Sequence, residues 1–135
     1  MAMGNKLLIG ERVVLASQSP SRKMLLEQAG IAFDVVVSGV EEDVPEGFTP
    51  ARTVEELSAR KARAVAPLCP GRAVIAADSV VSIDGLVLGK PESDEAACRM
   101  LRRLSGRTHE IFTGVCLLAK DRQQVFHQVT QVKFY

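Results

Sequence analysis

Apolar and polar positions alternate along the chain in a way that marks out its elements. Arg12–Ala16 is a short apolar run that predicts a strand. Lys23–Ala29 follows with helical spacing, introduced by Ser19 as N-cap and Pro20 at the first helical position and closed by Gly30. Ile31–Ser38 predicts a second strand. Thr49-Pro50 repeats the cap-plus-proline start and opens a helix to about Ala66. On that helix Val54, Leu57 and Val65 fall on one face. Ala73–Ile83 is apolar and β-branched, Asp84-Gly85 is a type I′ turn signal, and Leu86–Leu88 returns as a partner strand. This hairpin sets Ile83 opposite Leu86, Val81 opposite Leu88 and Ser79 level with Lys90. Ser93 caps a third helix, with Asp94 and Glu95 in its first turn. Ala97, Met100, Leu101 and Leu104 form its apolar stripe, assigned to core packing, and Ser105-Gly106 ends it. Thr108–Ala119 and Val125–Tyr135 are two further strands joined by the charged turn Lys120–Gln124. The order β-α-β-α-β-β-α-β-β predicts an α/β or α+β domain, a mixed sheet with flanking helices.

Several polar residues break this pattern. Asp78 stands inside an apolar strand, a costly position unless something charged or metallic meets it, which makes it the first candidate for chemistry. Strict alternation would put Asp78 and Lys90 on opposite faces, so their meeting requires a bulge or bend near Gly89. Lys61 lies within the apolar stripe of the second helix, between Leu57 and Val65 in angle, whereas Arg60 and Arg63 lie off it. Such a lysine either snorkels past the core to water or reaches into a cleft to meet an anionic ligand. The second reading gains weight from Asp78, Lys90 and Arg22, which also need an explanation. Ser17, Ser19, Ser21 and Arg22 gather hydroxyls, free backbone N–H groups and a guanidinium at the positive end of a helix. Those are the ingredients of a phosphate cradle, the alternative being a capped helix with nothing bound. In the loop Glu41-Glu42-Asp43 the acids are either simply solvated or help to hold a divalent cation.

Composition narrows the function classes. In 135 residues, 47% hydrophobic and 24% charged, a single domain spanning residues 1–135 is expected, with residues 1–11 partly vector-derived or disordered. A net charge of +1 provides no broad field for nucleic acid or a membrane surface, so any polyanion must be met by a local cluster. No apolar run reaches membrane-spanning length. Cys69, Cys98 and Cys116 are odd in number and lack CxxC spacing, which fits thiols in a reducing cytoplasm. His109 and His127 lack ligand spacing and read as structural. No repeat or linker interrupts the chain, and its final strand is expected to leave an open edge that could support a homodimer.

Five motifs in order resemble the Maf family, known as septum-formation inhibitors and as nucleotide pyrophosphatases. LASQSPSRKMLLEQAG (Leu15–Gly30) is similar to the opening S-x-S-P-R-R motif, and VSGVEEDVPEG (Val37–Gly47) to the acidic loop. LSARKARAV (Leu57–Val65) resembles the helix carrying a lysine, AADSVVSIDGLVLGKP (Ala76–Pro91) the A-D-T…G-K-P signature, and LSGRTHEIFTGVCLL (Leu104–Leu118) the strand entry after it. The resemblance implies an inosine-triphosphatase-like two-lobed fold with a central cleft. It also implies hydrolysis of a nucleoside triphosphate between the α and β phosphates, with Mg²⁺ or Mn²⁺. On this implied scheme Ser17 and Arg22 hold phosphate, Glu42 and Asp78 position metal and water with Asp78 as proton acceptor, and Lys61 and Lys90 neutralise the phosphate chain. Ser21 stands where many members have Arg or Trp, and Ser79 where Thr is usual; both positions are associated with base selection. The family continues past the position of Tyr135 through a D-K-A-G-x-Y-G-I-Q-G segment, so the chain is expected to be C-terminally short, as a fragment or a natural short form. In the second case a catalytically impaired nucleotide-binding or division-regulating module is the alternative reading.

Overall fold

A computed structural model describes residues 12–39, 47–88, 93–119 and 122–133. Its strands are β1 (Val13–Leu15), β2 (Phe33–Val35), β3 (Val74–Ile83), β4 (Leu86–Leu88), β5 (Thr108–Ala119) and β6 (Arg122–Lys133). Its helices are α1 (Pro20–Gln28), α2 (Pro50–Val65) and α3 (Asp94–Leu104), with a 3₁₀ turn at Ala66–Leu68. All six strands join one sheet in the order β2-β1-β3-β5-β6, with β4 also paired to β3. β1 runs parallel to β2 and β3, while β4 and β5 are antiparallel to β3 and β6 is antiparallel to β5. The mixed sheet with flanking helices is therefore as expected from the order of elements.

The core forms where α2 lies on the sheet. Val14, Ala16, Val74, Ala76 and Cys116 from the strands meet Ala59, Ala62 and Val65 from the helix, with Cys69 beside them. Val54 and Leu57, the rest of the expected stripe, are buried as well. Thr49 caps α2 by accepting the Arg52 N–H, and Ser93 caps α3 by accepting that of Ala96. At α1 Ser19 occupies the N-cap position after an extended backbone, but its side chain makes no cap bond.

The β3–β4 hairpin has the predicted register, Val81 opposite Leu88 and Ile83 opposite Leu86. Asp84 and Gly85 both take positive φ (52° and 81°), as a type I′ turn demands and as Gly tolerates best. The proposed bend at Gly89, and Lys90 with it, lie outside the described residues.

Three expectations are corrected. The second strand is shorter than Ile31–Ser38, because β1, its one partner among the described residues, ends at Leu15; Val37 and Ser38 line a cavity instead. The last strand starts at Arg122, not Val125, and pairs along its whole length with β5. The stripe of α3 is only partly core: Leu104 is buried and Ala97 and Met100 are half-buried, but Leu101 is 51% exposed.

Candidate active site

The site follows from strand lengths that do not match. β3 has ten residues, and one of its edges is filled by β5 from Val74 to Ser82. On its other edge β1 reaches only Val74 and Ile75, and β4 begins pairing only at Val81. The edge at Ala77–Val80 therefore has no strand beside it among the described residues. A cavity of about 390 Å³ opens there, beyond the carboxyl end of β1, the usual place for a ligand in a parallel α/β sheet.

Because the sheet stops at this gap, side chains from both of its faces reach one cavity. Asp78 points to the α2 face and the adjacent Ser79 to the other, as alternation requires. On the first face Lys61 Nζ lies 3.4 Å from Asp78 Oδ2. Asp78 is 7% exposed, and its Oδ1 accepts the Ser79 backbone N–H at 3.0 Å. Its buried Oδ2 makes that ion pair but has no hydrogen-bond partner among the described residues. Gly114, directly opposite Asp78 in the register, makes the Lys61 contact possible. A Cβ at Gly114 would collide with the Val54 carbonyl of α2. Its absence lets the helix backbone lie against the strand, two turns before Lys61.

On the second face Arg22, from the first turn of α1, donates through Nη2 to Ser79 Oγ at 2.7 Å. Ser79 Oγ in turn shares a hydrogen bond of 2.9 Å with Thr113 Oγ1 on β5. Ser17, buried at the end of β1, accepts the Ser19 N–H through Oγ at 3.2 Å. That contact shapes the loop from strand to helix, and Gln18 and Ser19 line the cavity beside it.

Of the residues singled out from sequence, Ser17, Ser19, Arg22, Lys61, Asp78 and Ser79 line this one cavity. Ser21 does not; it is exposed on the first turn of α1. Glu42 and Lys90 lie outside the described residues. Ser38 and Thr113 were missed. Ser38 lines the cavity with a buried hydroxyl that has no partner among the described residues, and its one signal was its place at the end of the second apolar run. Thr113 carried no signal, since threonine is ordinary in a strand. His127 Nδ1 lies 2.8 Å from Glu55 Oε2 on α2, and the three cysteines are free thiols.

The arrangement is a concave anion site with a carboxylate in its wall. Lys61 and Arg22 supply positive charge from two sides, the hydroxyls and loop amides offer hydrogen bonds, and Asp78 supplies a carboxylate that could serve acid–base chemistry. Its volume is within the roughly 300–1,000 Å³ usual for small-molecule sites.

Comparisons with known proteins agree. The profile of the family described as Maf-like protein matches residues 12–135. Over 126 residues the chain is 47% identical to a dTTP/UTP pyrophosphatase of Pelotomaculum thermopropionicum, covering 92% of this chain and 66% of the relative. Proteins of the same name from Symbiobacterium thermophilum and Bacillus pumilus are 48% and 41% identical over 124 residues, with 64% and 66% of the relative covered. The chain thus spans about two thirds of the length of these curated relatives. In fold it is similar to the Ham1 protein of Staphylococcus aureus, at a TM-score of 0.60 and 21% identity over 91% of this chain and 71% of the other. Protein VC0702 of Vibrio cholerae is a more distant likeness, with a TM-score of 0.51 and 8% identity over 93% of this chain and 64% of that one. With a family profile over residues 12–135 and curated relatives at 41–48% identity, the chain belongs to the Maf-like protein family.

Proposed function

We propose that the chain acts on nucleoside triphosphates, hydrolysing the α–β phosphoanhydride to release a monophosphate and pyrophosphate. The names of its relatives point to dTTP and UTP as the first substrates to test. The observation that carries this reading is Asp78, a buried carboxylate ion-paired through Oδ2 with Lys61 in a cavity that Arg22 also enters.

In this mechanism the phosphate chain lies between Arg22 and Lys61, whose charges match the anion and the further charge that builds on the leaving pyrophosphate. Loop amides and the Ser17 and Ser38 hydroxyls orient its oxygens. Asp78 accepts a proton from the attacking water through Oδ2, while its Oδ1 stays tied to the Ser79 N–H and so fixes the direction of attack.

The donor set fits a magnesium or manganese ion. No group of three or more His, Cys, Asp or Glu is placed to hold a metal among the described residues. A hard divalent ion needs less than that here, since Mg²⁺ is commonly held by one or two carboxylates together with substrate phosphates. Asp78 would provide one such ligand and Glu42 a second. When bound, the ion lowers the pKa of water and neutralises phosphate charge. Lys90 would add a third cation. No helix among the described residues is long and apolar enough to cross a membrane. The free thiols suit a reducing cytoplasm.

The test is pyrophosphate release from dTTP, UTP and a panel of other canonical and modified triphosphates, with Mg²⁺ or Mn²⁺. Turnover should be fastest on dTTP and UTP and fall about 10²–10³-fold in Lys61→Ala. It should fall about 10²–10⁴-fold in Asp78→Asn. Undiminished turnover in Asp78→Asn combined with Lys90→Ala overturns the mechanism, and nucleotide binding without any turnover overturns the enzymatic reading.

A further inference from the structure

We infer that Thr113, which does not line the cavity, is a positioning residue that holds Arg22 at its phosphate-binding station through Ser79. The inference deepens the reading above and rests on it in one respect, that Arg22 meets the phosphate chain. An arginine carries a long side chain that must be fixed before it can bind an anion with directional bonds. Burial does not fix this one among the described residues: α1 buries none of its residues, and Met24 and Leu25 beside Arg22 are 56% and 63% exposed. The guanidinium is anchored by its 2.7 Å bond to Ser79 Oγ.

Ser79 alone is a poor anchor, because a serine hydroxyl rotates freely among its rotamers. Thr113 removes that freedom. It stands directly opposite Ser79 in the β3–β5 register, with its Oγ1 2.9 Å from Ser79 Oγ. It is β-branched and therefore stiff at χ1, and its strand is paired on both sides, by β3 and β6. A rigid hydroxyl at the sheet centre thus orients a mobile one at the sheet edge, and that one orients a guanidinium in the cavity. Lys61 and Asp78 belong to the other face, so this chain of three side chains governs one half of the site without touching the other.

The experiment is titration of the purified chain with inorganic tripolyphosphate, which needs no turnover, followed by KM and kcat with dTTP. Thr113→Val keeps the shape and removes the hydroxyl. It should weaken tripolyphosphate about fivefold and raise KM with little change in kcat, while Thr113→Ser should stay within about twofold of the parent. In an Arg22→Ala background Thr113→Val should have no further effect, the signature of two residues acting in series. Should Thr113→Val melt early, Ser79→Ala severs the same chain from its other end and should show the same loss and the same dependence on Arg22. Parent-like binding by Thr113→Val, or a loss that multiplies with that of Arg22→Ala, overturns the inference. Absence of turnover with this binding pattern intact removes the pyrophosphatase reading and leaves the role of Thr113 standing.

Discussion

Helices α2 and α3 are written in the same grammar and meet opposite fates. Each begins with a hydroxyl cap that accepts the N–H three residues on, and each carries an apolar stripe at helical spacing. Yet α2 buries seven of its sixteen residues against β3, β5 and β6, while α3 buries only Leu104 of its eleven. The difference lies in what each helix is laid against. Ala59 and Ala62 give α2 a thin side, and Gly114 gives the sheet a matching hollow, so backbone meets backbone. The stripe of α3 is covered only in part, from half-buried Ala97 and Met100 to an exposed Leu101. Periodicity thus shows which face seeks cover, but not whether neighbours supply it. The chemistry sits with the covered helix: Lys61 can be aimed at Asp78 to within a hydrogen-bond length or so only because α2 is held tightly.

The largest effect that could break this comparison is at Gly114. Gly114→Val drives a branched side chain into the Val54 carbonyl, which is helix backbone and cannot give way. It should cost about 3 kcal/mol or more in urea unfolding and pull Lys61 from Asp78. Stability and triphosphate binding should therefore fall together. A valine tolerated here would mean that α2 is not seated as described.

Next in size is a paired truncation. Leu57→Ala on α2 removes a side chain that is 6% exposed and should cost about 2–5 kcal/mol. Leu101→Ala on α3 removes one that is 51% exposed and should stay within about 0.5 kcal/mol. Urea midpoints of the two variants measure the contrast directly. Equal losses would show that α3 is covered in solution after all.

The same contrast explains how much was legible in the sequence. Elements, their order and the hairpin register were readable because each rests on local rules: caps, alternation and an Asp-Gly turn. Asp78 and Lys61 were readable because charge inside an apolar pattern is costly and must be repaid by a partner, and Arg22 because it stands with hydroxyls at the start of a helix. The gap in the sheet was not readable. It depends on β1 being only three residues long beside a ten-residue β3, and the ends of strands are set by pairing, not by composition. Ser21 was misplaced relative to the cavity for a related reason: the helical turn that carries Arg22 inward carries its neighbour outward. Thr113 was invisible because its role consists of standing opposite Ser79, a fact of register alone.

The smallest effect concerns the β2 edge of the sheet, a strand of three residues. A polar clamp stands in for burial there. Asp34 on β2 accepts from Arg12 Nε at 3.0 Å and from Arg72 Nη2 at 2.7 Å, and Arg72 also donates to the Arg12 carbonyl. The hydrogen bonds from Arg72 and then Arg12 hold the Asp34 carboxyl below its ordinary value of 3.8. A carboxyl whose pKa is lowered by folding contributes stability that is complete above its unfolded value. That contribution is lost as pH falls from about 4 through the folded value. Asp34→Asn should therefore leave stability near neutrality only slightly lowered, since the clamp is largely solvent-exposed and exposed pairs contribute little. It should flatten the acid limb below about pH 4, and raised salt should shrink the difference between the two proteins. Thermal melts from pH 3 to 7 at two ionic strengths check this. An unchanged acid limb would mean that the β2 edge is held by backbone pairing with β1 alone and needs no charge to keep its place.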